Sequence, residues 1–166
     1  YTDGAATEQT YVVSVENCTN KADITAQATR MAGVVATPNK HTRIKGCVNE
    51  GKITCDDVVA SNSRPSGICS TTGANCIIEN CVNRGDVIFA VEGDTAHGYA
   101  AGICAQPNSG GQIIGCENYG TILSDIIKAS AISKKYIGAI FVHGNKAAAV
   151  VKNCKVEGAV GPYKED

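Results

Sequence analysis

Nine cysteines, three histidines and 16 acidic against 15 basic side chains are the groups in this 166-residue chain with chemistry to offer. Thiolates attack electrophiles, bind soft metals and pair as disulfides, and each task demands its own spacing. No Cys-x-x-Cys occurs, so neither a zinc knuckle nor a dithiol redox motif is present. His41, His97 and His143 stand apart from one another with no second ligand at close spacing, and the expectation is no metal and no cofactor. Glycoside cleavage asks for two carboxyl groups roughly 5–9.5 Å apart. Asp56 and Asp57 are adjacent and diverge on an extended chain, whereas Asp94 and Asp125 fall at equivalent places one repeat apart, which makes them the pair for a polysaccharide lyase or glycoside hydrolase reading. No His-Glu-x-x-His, Walker or Gly-x-Gly-x-x-Gly phrase occurs.

Composition narrows the classes further. With 43% hydrophobic residues the chain has too much apolar surface for a solvated tail, and runs such as AGVVA at 32–36 fall far short of the ~20 residues that cross a bilayer. A net charge of −1 gives no positive field for a nucleic acid. No charged, then apolar leader opens the sequence, so the compartment must be read from other features. Eighteen glycines and 5% aromatic residues suit many tight turns and short strands.

What must position these groups is a repeat. Five cysteines share one phrase: VENCTNKADI around Cys18, IKGCVNEGKI around Cys47, IENCVNRGDV around Cys81, IIGCENYGTI around Cys116 and VKNCKVEGAV around Cys154. Steps of 29, 34, 35 and 38 residues separate them, which is the period of a repeat architecture. A second phrase, AGVVA at Gly33, SGICS at Gly67, AGICA at Gly102 and IGAIF at Gly138, precedes the next cysteine by 14, 14, 14 and 16 residues. Before that glycine the gap grows from repeat to repeat, so insertions gather on one edge as loops, at 54–65, 88–100 and 123–136.

Within the first phrase Cys, Asn, Gly and a branched residue follow at every second position, the period of a strand. One face then points inward, and like residues stack on like. Cys18, Cys47, Cys81, Cys116 and Cys154 form one ladder of small apolar side chains; Asn20, Asn49, Asn83 and Asn118 form a ladder of amides. The Asn or Gly before each cysteine is expected to turn a corner, with about three short strands per coil. Cys69 and Cys104 belong to the second phrase, and at a coil spacing of ~4.8 Å their pairing as a disulfide stays open. Cys55 and Cys76 fall outside the columns and read as a pair, as reactive thiols or as loop cysteines without a function. Outward positions reverse charge through the first coils: Glu16, Lys45, Glu79; Lys21, Glu50, Arg84; Asp23, Lys52, Asp86. The fourth coil breaks this with Ile114, Tyr119 and Thr121, an uncharged strip suited to contact.

The expected architecture is all-β, a right-handed parallel β-helix or β-solenoid of about five coils spanning 15–160, with residues 1–14 as a capping segment, 161–166 as a tail and variable loops on one edge. The hand follows the right-handed rule for parallel crossovers. The phrases AGVVA, SGICS and AGICA, with IENCVNRGDV as their companion strand, resemble the GLUG-type repeats of bacterial cell-surface proteins. That resemblance implies an extracellular or surface-attached, adhesin-like module that is not itself catalytic. The expected function is adhesion or spacing, with a glycan or protein as partner, neither nucleic acid nor direct membrane insertion, and either end-to-end stacking or flanking domains of a longer chain. Binding candidates are Arg64, Asp94, His97, Tyr99, Lys134, Lys135 and Tyr136 beside the insertions, with Ile114 and Tyr119 from the uncharged strip. A purely structural repeat and a carbohydrate-active enzyme are the alternatives. The run from Asp125 to Ser133 reads as a short helix or an edge cover.

Overall fold

The computed structural model describes residues 13–56, 63–90, 97–124, 134–142 and 149–162. Strands and turns account for them, no helix occurs among the described residues, and every strand pairing is parallel. The first sheet joins Val13–Glu16, Thr42–Lys45, Ile77–Glu79, Gln112–Ile114 and Val150–Lys152; the second joins Thr19–Asn20, Val48–Asn49, Val82–Asn83, Glu117–Asn118 and Lys155–Val156. The third joins Ile24–Ala26, Ile53–Cys55, Val87–Phe89, Ile122–Ser124 and Val160–Pro162. The fourth holds Arg30–Ala32, Arg64–Ser66, His97–Ala101 and Lys134–Gly138, and the fifth Cys69–Thr71 and Cys104–Gln106. Each sheet takes one strand from each repeat it includes. The expected three strands per repeat are too few, because the second phrase bends at its glycine and contributes to both the fourth and the fifth sheet.

Register follows the cysteine phrase. Val15, Ile44, Ile78, Ile113 and Val151 lie over one another, as do Glu16, Lys45, Glu79, Ile114 and Lys152. The residues before each cysteine turn the corner in the left-handed region, at φ 55° for Asn17, 59° for Gly46, 52° for Asn80, 61° for Gly115 and 53° for Asn153. Asparagine and glycine suffice there because both adopt that conformation at little cost. They also alternate for a reason: a Cβ on Gly46 or Gly115 would crowd the amide oxygen of Asn17 or Asn80 in the repeat before.

The interior divides into two apolar clusters. One gathers Ile44, Ile78 and Ile113 with Cys47, Cys81, Cys116, Ile68, Cys69, Ile103 and Cys104; the other holds Met31, Ile53, Cys55, Val87, Phe89, Ala100 and Ile122. In the chain the asparagines fall between them. Asn20 Nδ2 donates to Asn49 Oδ1 at 2.8 Å, Asn49 to Asn83 at 2.8 Å and Asn83 to Asn118 at 2.7 Å. The same nitrogens donate within their own repeats to the carbonyls of Ala22, Gly51, Gly85 and Gly120. Asn49, Asn83 and Asn118 are fully buried, so these bonds replace the water that burial strips away.

This ladder explains the second-phrase glycines. A Cβ on Gly33 would land on Asn49 Oδ1 and the Gly67 carbonyl, one on Gly67 on Asn83 Oδ1 and the Gly102 carbonyl, and one on Gly102 on Asn118 Oδ1 and the Ala139 carbonyl. The last contact corrects an alignment. Ala101 pairs with Gly138 and Cys104 bridges to Phe141, so Ala139, not Gly138, stands in the glycine column. A methyl fits at 139 because the residue above it in the asparagine column is Val156, which carries no amide oxygen. Gly-to-Ala and Asn-to-Val change together at the end of the ladder.

A double-mutant cycle tests that coupling. Val156→Asn alone is expected to gain nothing, since its amide oxygen would meet the Ala139 methyl. Combined with Ala139→Gly it extends the ladder and raises stability by about 0.5–1.5 kcal/mol, the net worth of one hydrogen bond. Urea denaturation of both single variants and the pair measures this, and simple additivity would refute it.

Candidate functional site

The outward wall of the fourth sheet carries the candidate site. Three residues before each column glycine the chain reads Arg30, Arg64 and Tyr99, and Tyr136 stands three before Ala139. Arg30 is in register with Arg64 and Tyr99 with Tyr136, while the pairing of Ser66 with Ala101 sets Tyr99 over Arg64. Their strand neighbours Met31, Ala100 and Ile137 pack inward on the second cluster, so the period of two turns the arginines and tyrosines to the outside. The tyrosine rings stack with centroids 5.5 Å apart and planes 9° from parallel, and the Arg64 guanidinium carbon lies 5.6 Å from the Tyr99 centroid. Tyr136 is 47% exposed. Arg30 is exposed and Arg64 half-buried.

The electrostatics of this column are unfavourable. Burial, and after it the neighbouring Arg30 charge, pulls the Arg64 guanidinium below its ordinary range, and its buried Nε has no hydrogen-bond partner among the described residues. Neither arginine has an acidic partner among the described residues. Elsewhere the walls are matched: Glu79 accepts from Arg43 Nε at 2.6 Å and lies 3.9 Å from Lys45 Nζ. Asp23 and Asp86 do something the charge pattern did not suggest, accepting the backbone N–H of Lys52 at 2.7 Å and of Thr121 at 2.8 Å in the following repeats.

Of the residues expected at a binding surface, the structure brings Arg64, Tyr99 and Tyr136 together. His97 pairs in register with Lys134, and Gly98 with Lys135, on the same sheet, although the side chains of His97, Lys134 and Lys135 lie outside the described residues. So do Asp57, Asp94, Asp125, His143 and the run 125–133. Ile114 is on the first sheet and Tyr119 directly follows the second-sheet strand Glu117–Asn118, both away from this column in the topology. Tyr119 is engaged from within: Arg84 and Lys155 sit 5.3 and 5.5 Å from its ring centroid. Its hydroxyl donates to Glu117 Oε2 at 2.5 Å, a bond that raises its pKa. Arg30 was missed by sequence reasoning. Its signal was present in the sequence, since Arg30, Arg64 and Tyr99 all stand three residues before Gly33, Gly67 and Gly102; only Tyr136 needs Ala139 in the glycine column to join them.

The thiols are placed to pack. All nine cysteines are free. Cys69 is in register with Cys104 without being bonded to it. Cys55 is not a loop thiol but ends a third-sheet strand, buried and in line with Ala26 and Phe89; Cys76 follows the turn at 74–75, buried, with its thiol on the Asn39 carbonyl at 3.0 Å. In the main ladder each thiol donates to the carbonyl two residues back, at 3.4 Å for Cys47 and Cys81 and 3.5 Å for Cys116. Burial pushes Cys47 up to about 11 and raises Cys76; a thiol hydrogen bond from the neighbouring repeat, then burial, raises Cys81 and Cys69. Such thiols hold their protons at neutral pH and make poor nucleophiles. Among the described residues no three His, Cys, Asp or Glu side chains are grouped to hold a metal ion.

A pH dependence follows. Unfolded thiols lose their protons near 9.0, whereas the native Cys47 keeps its proton to about 11. The native state therefore binds more protons than the unfolded state in that window, and the stability is complete below about pH 9 and declines as pH rises toward 11. Urea midpoints at pH 8 and 10.5 should show the fall, and Cys47→Ala should reduce it, leaving the part due to Cys69, Cys76 and Cys81; an unchanged slope in that variant would refute the assignment. In comparisons with known proteins the sequence matches no family model, and neither the curated proteins nor the solved structures give a match.

Proposed function

We propose that the chain is a right-handed parallel β-solenoid of about five coils that serves as a non-catalytic adhesion or spacer module on an extracellular or cell surface. In-register parallel sheets, repeated corner residues and two interior clusters running along the stack support the solenoid. The hand comes from the parallel-crossover rule, and the surface location and adhesive role from the GLUG-type resemblance. The observation that carries the binding role is the Arg64, Tyr99 and Tyr136 stack on the outward wall, immediately after the segments whose length varies from repeat to repeat. Rigid aromatic groups on a column lose little side-chain entropy when a partner docks.

A glycan and matrix-protein array tests this reading. The wild-type chain is expected to retain at least one component, and Tyr136→Ala, at an exposed ring whose loss the fold tolerates, is expected to weaken that binding about three- to tenfold. Failure to bind any component, or release of shorter products from a bound polymer, would overturn the non-catalytic binding role.

A further inference from the structure

Arg30 over Arg64 is the one pair of register partners in the described strands that sets two like full charges together. Cross-strand like charges destabilise a sheet, and the adjoining walls of this molecule avoid them. Here the repulsion coincides with a buried Nε on Arg64 that has no hydrogen-bond partner among the described residues, so two unfavourable features share one column. Departures of this kind from an otherwise consistent pattern are expected where a surface is kept for a ligand.

We infer that the Arg30, Arg64, Tyr99 and Tyr136 column binds an anionic glycan running along the stack, with a carboxylate or sulfate group held between the two arginines and sugar hydroxyls meeting the tyrosines. Guanidinium groups match both anions through paired N–H donors, and one anion shared by Arg30 and Arg64 removes their repulsion. Successive repeats present their groups every ~4.8 Å, so one anionic group can reach both arginines while hydroxyl-rich neighbouring units of the same polymer lie along the tyrosine edges. The inference rests on the binding role proposed above and narrows its ligand.

Neutral dextran, carboxymethyl-dextran and dextran sulfate share a backbone and isolate the charge. The whole chain is expected to bind one or both anionic polymers and not dextran, more weakly as salt rises. Arg30→Gln should lower that affinity about tenfold or more while leaving the melting temperature unchanged or higher, because it relieves the repulsion. Lys152→Gln, which removes the same charge from the first sheet, should bind like wild type. Retention of the anionic polymers by Arg30→Gln, equal losses in both variants, or equal binding of poly-L-glutamate would overturn the inference. Binding of neutral dextran that depends on Tyr136 would overturn the anionic ligand and leave the binding role standing; no binding to any polymer or array component would remove both.

Discussion

An asparagine that spends one amide hydrogen on its own repeat and the other on the next asparagine fixes the distance between repeats. Asn49 and Asn83 each do both and also accept a bond from below, so both amide hydrogens and the amide oxygen are engaged. A repeat that slid or tilted would break bonds inside the stack where no water replaces them, and each orphaned group costs about 1–3 kcal/mol. The glycines opposite are a consequence of this column. They allow a facing strand to approach until its Cα lies against the amide oxygen. In the same way a Cβ at Gly51, Gly85, Gly120 or Gly158 would strike the carbonyl of the corresponding residue one repeat earlier. Ala22 holds that position in the first described repeat, where the described residues place no carbonyl beneath it.

The apolar clusters can then be built from modest side chains. Cysteine and isoleucine fill alternate inward positions, and large rings are almost absent from the interior. Phe89 is the exception, and it is accommodated because Gly98 in the adjoining fourth sheet leaves the room its ring needs; a Cβ there would overlap it. Buried thiols suit this role because each donates to a nearby carbonyl while presenting a compact apolar surface to its neighbours. Seven of the nine cysteines are buried and serve packing in this way; Cys18 is exposed and Cys154 partly so.

Much of this was legible because an in-register stack repeats its constraints in the sequence. The cysteine, asparagine and corner columns could be read directly, since insertions do not interrupt the first phrase. Legibility failed where an insertion lies between a residue and its nearest fixed phrase. Cys55 falls inside the insertion that the spacing places at 54–65, yet it continues the third sheet in register with Ala26 and Phe89. Ala139 was passed over for Gly138 because residue type outweighed position in the alignment, and with the wrong residue in the column the link from Arg30 to Tyr136 could not be seen. The roles of Asp23 and Asp86 were hidden for a different reason: charge alternation predicts side-chain pairing, whereas their oxygens take backbone N–H groups.

The division between scaffold and candidate site follows from the same spacing. A column inside the stack must tolerate its own copy ~4.8 Å away, so it selects residues that bond to themselves, as asparagine does, or that pack without polarity, as isoleucine does. A column on the outside is free of that demand and ordinarily uses the freedom to alternate charge. The arginine and tyrosine column does not alternate. Its upper half is satisfied by ring stacking, whereas its lower half sets guanidinium on guanidinium and is completed by nothing in the described chain. That asymmetry singles out one wall of a repetitive molecule: the interior explains why the repeats stack, and among the described strands this outward column alone sets like full charges in register with no opposite charge beside them.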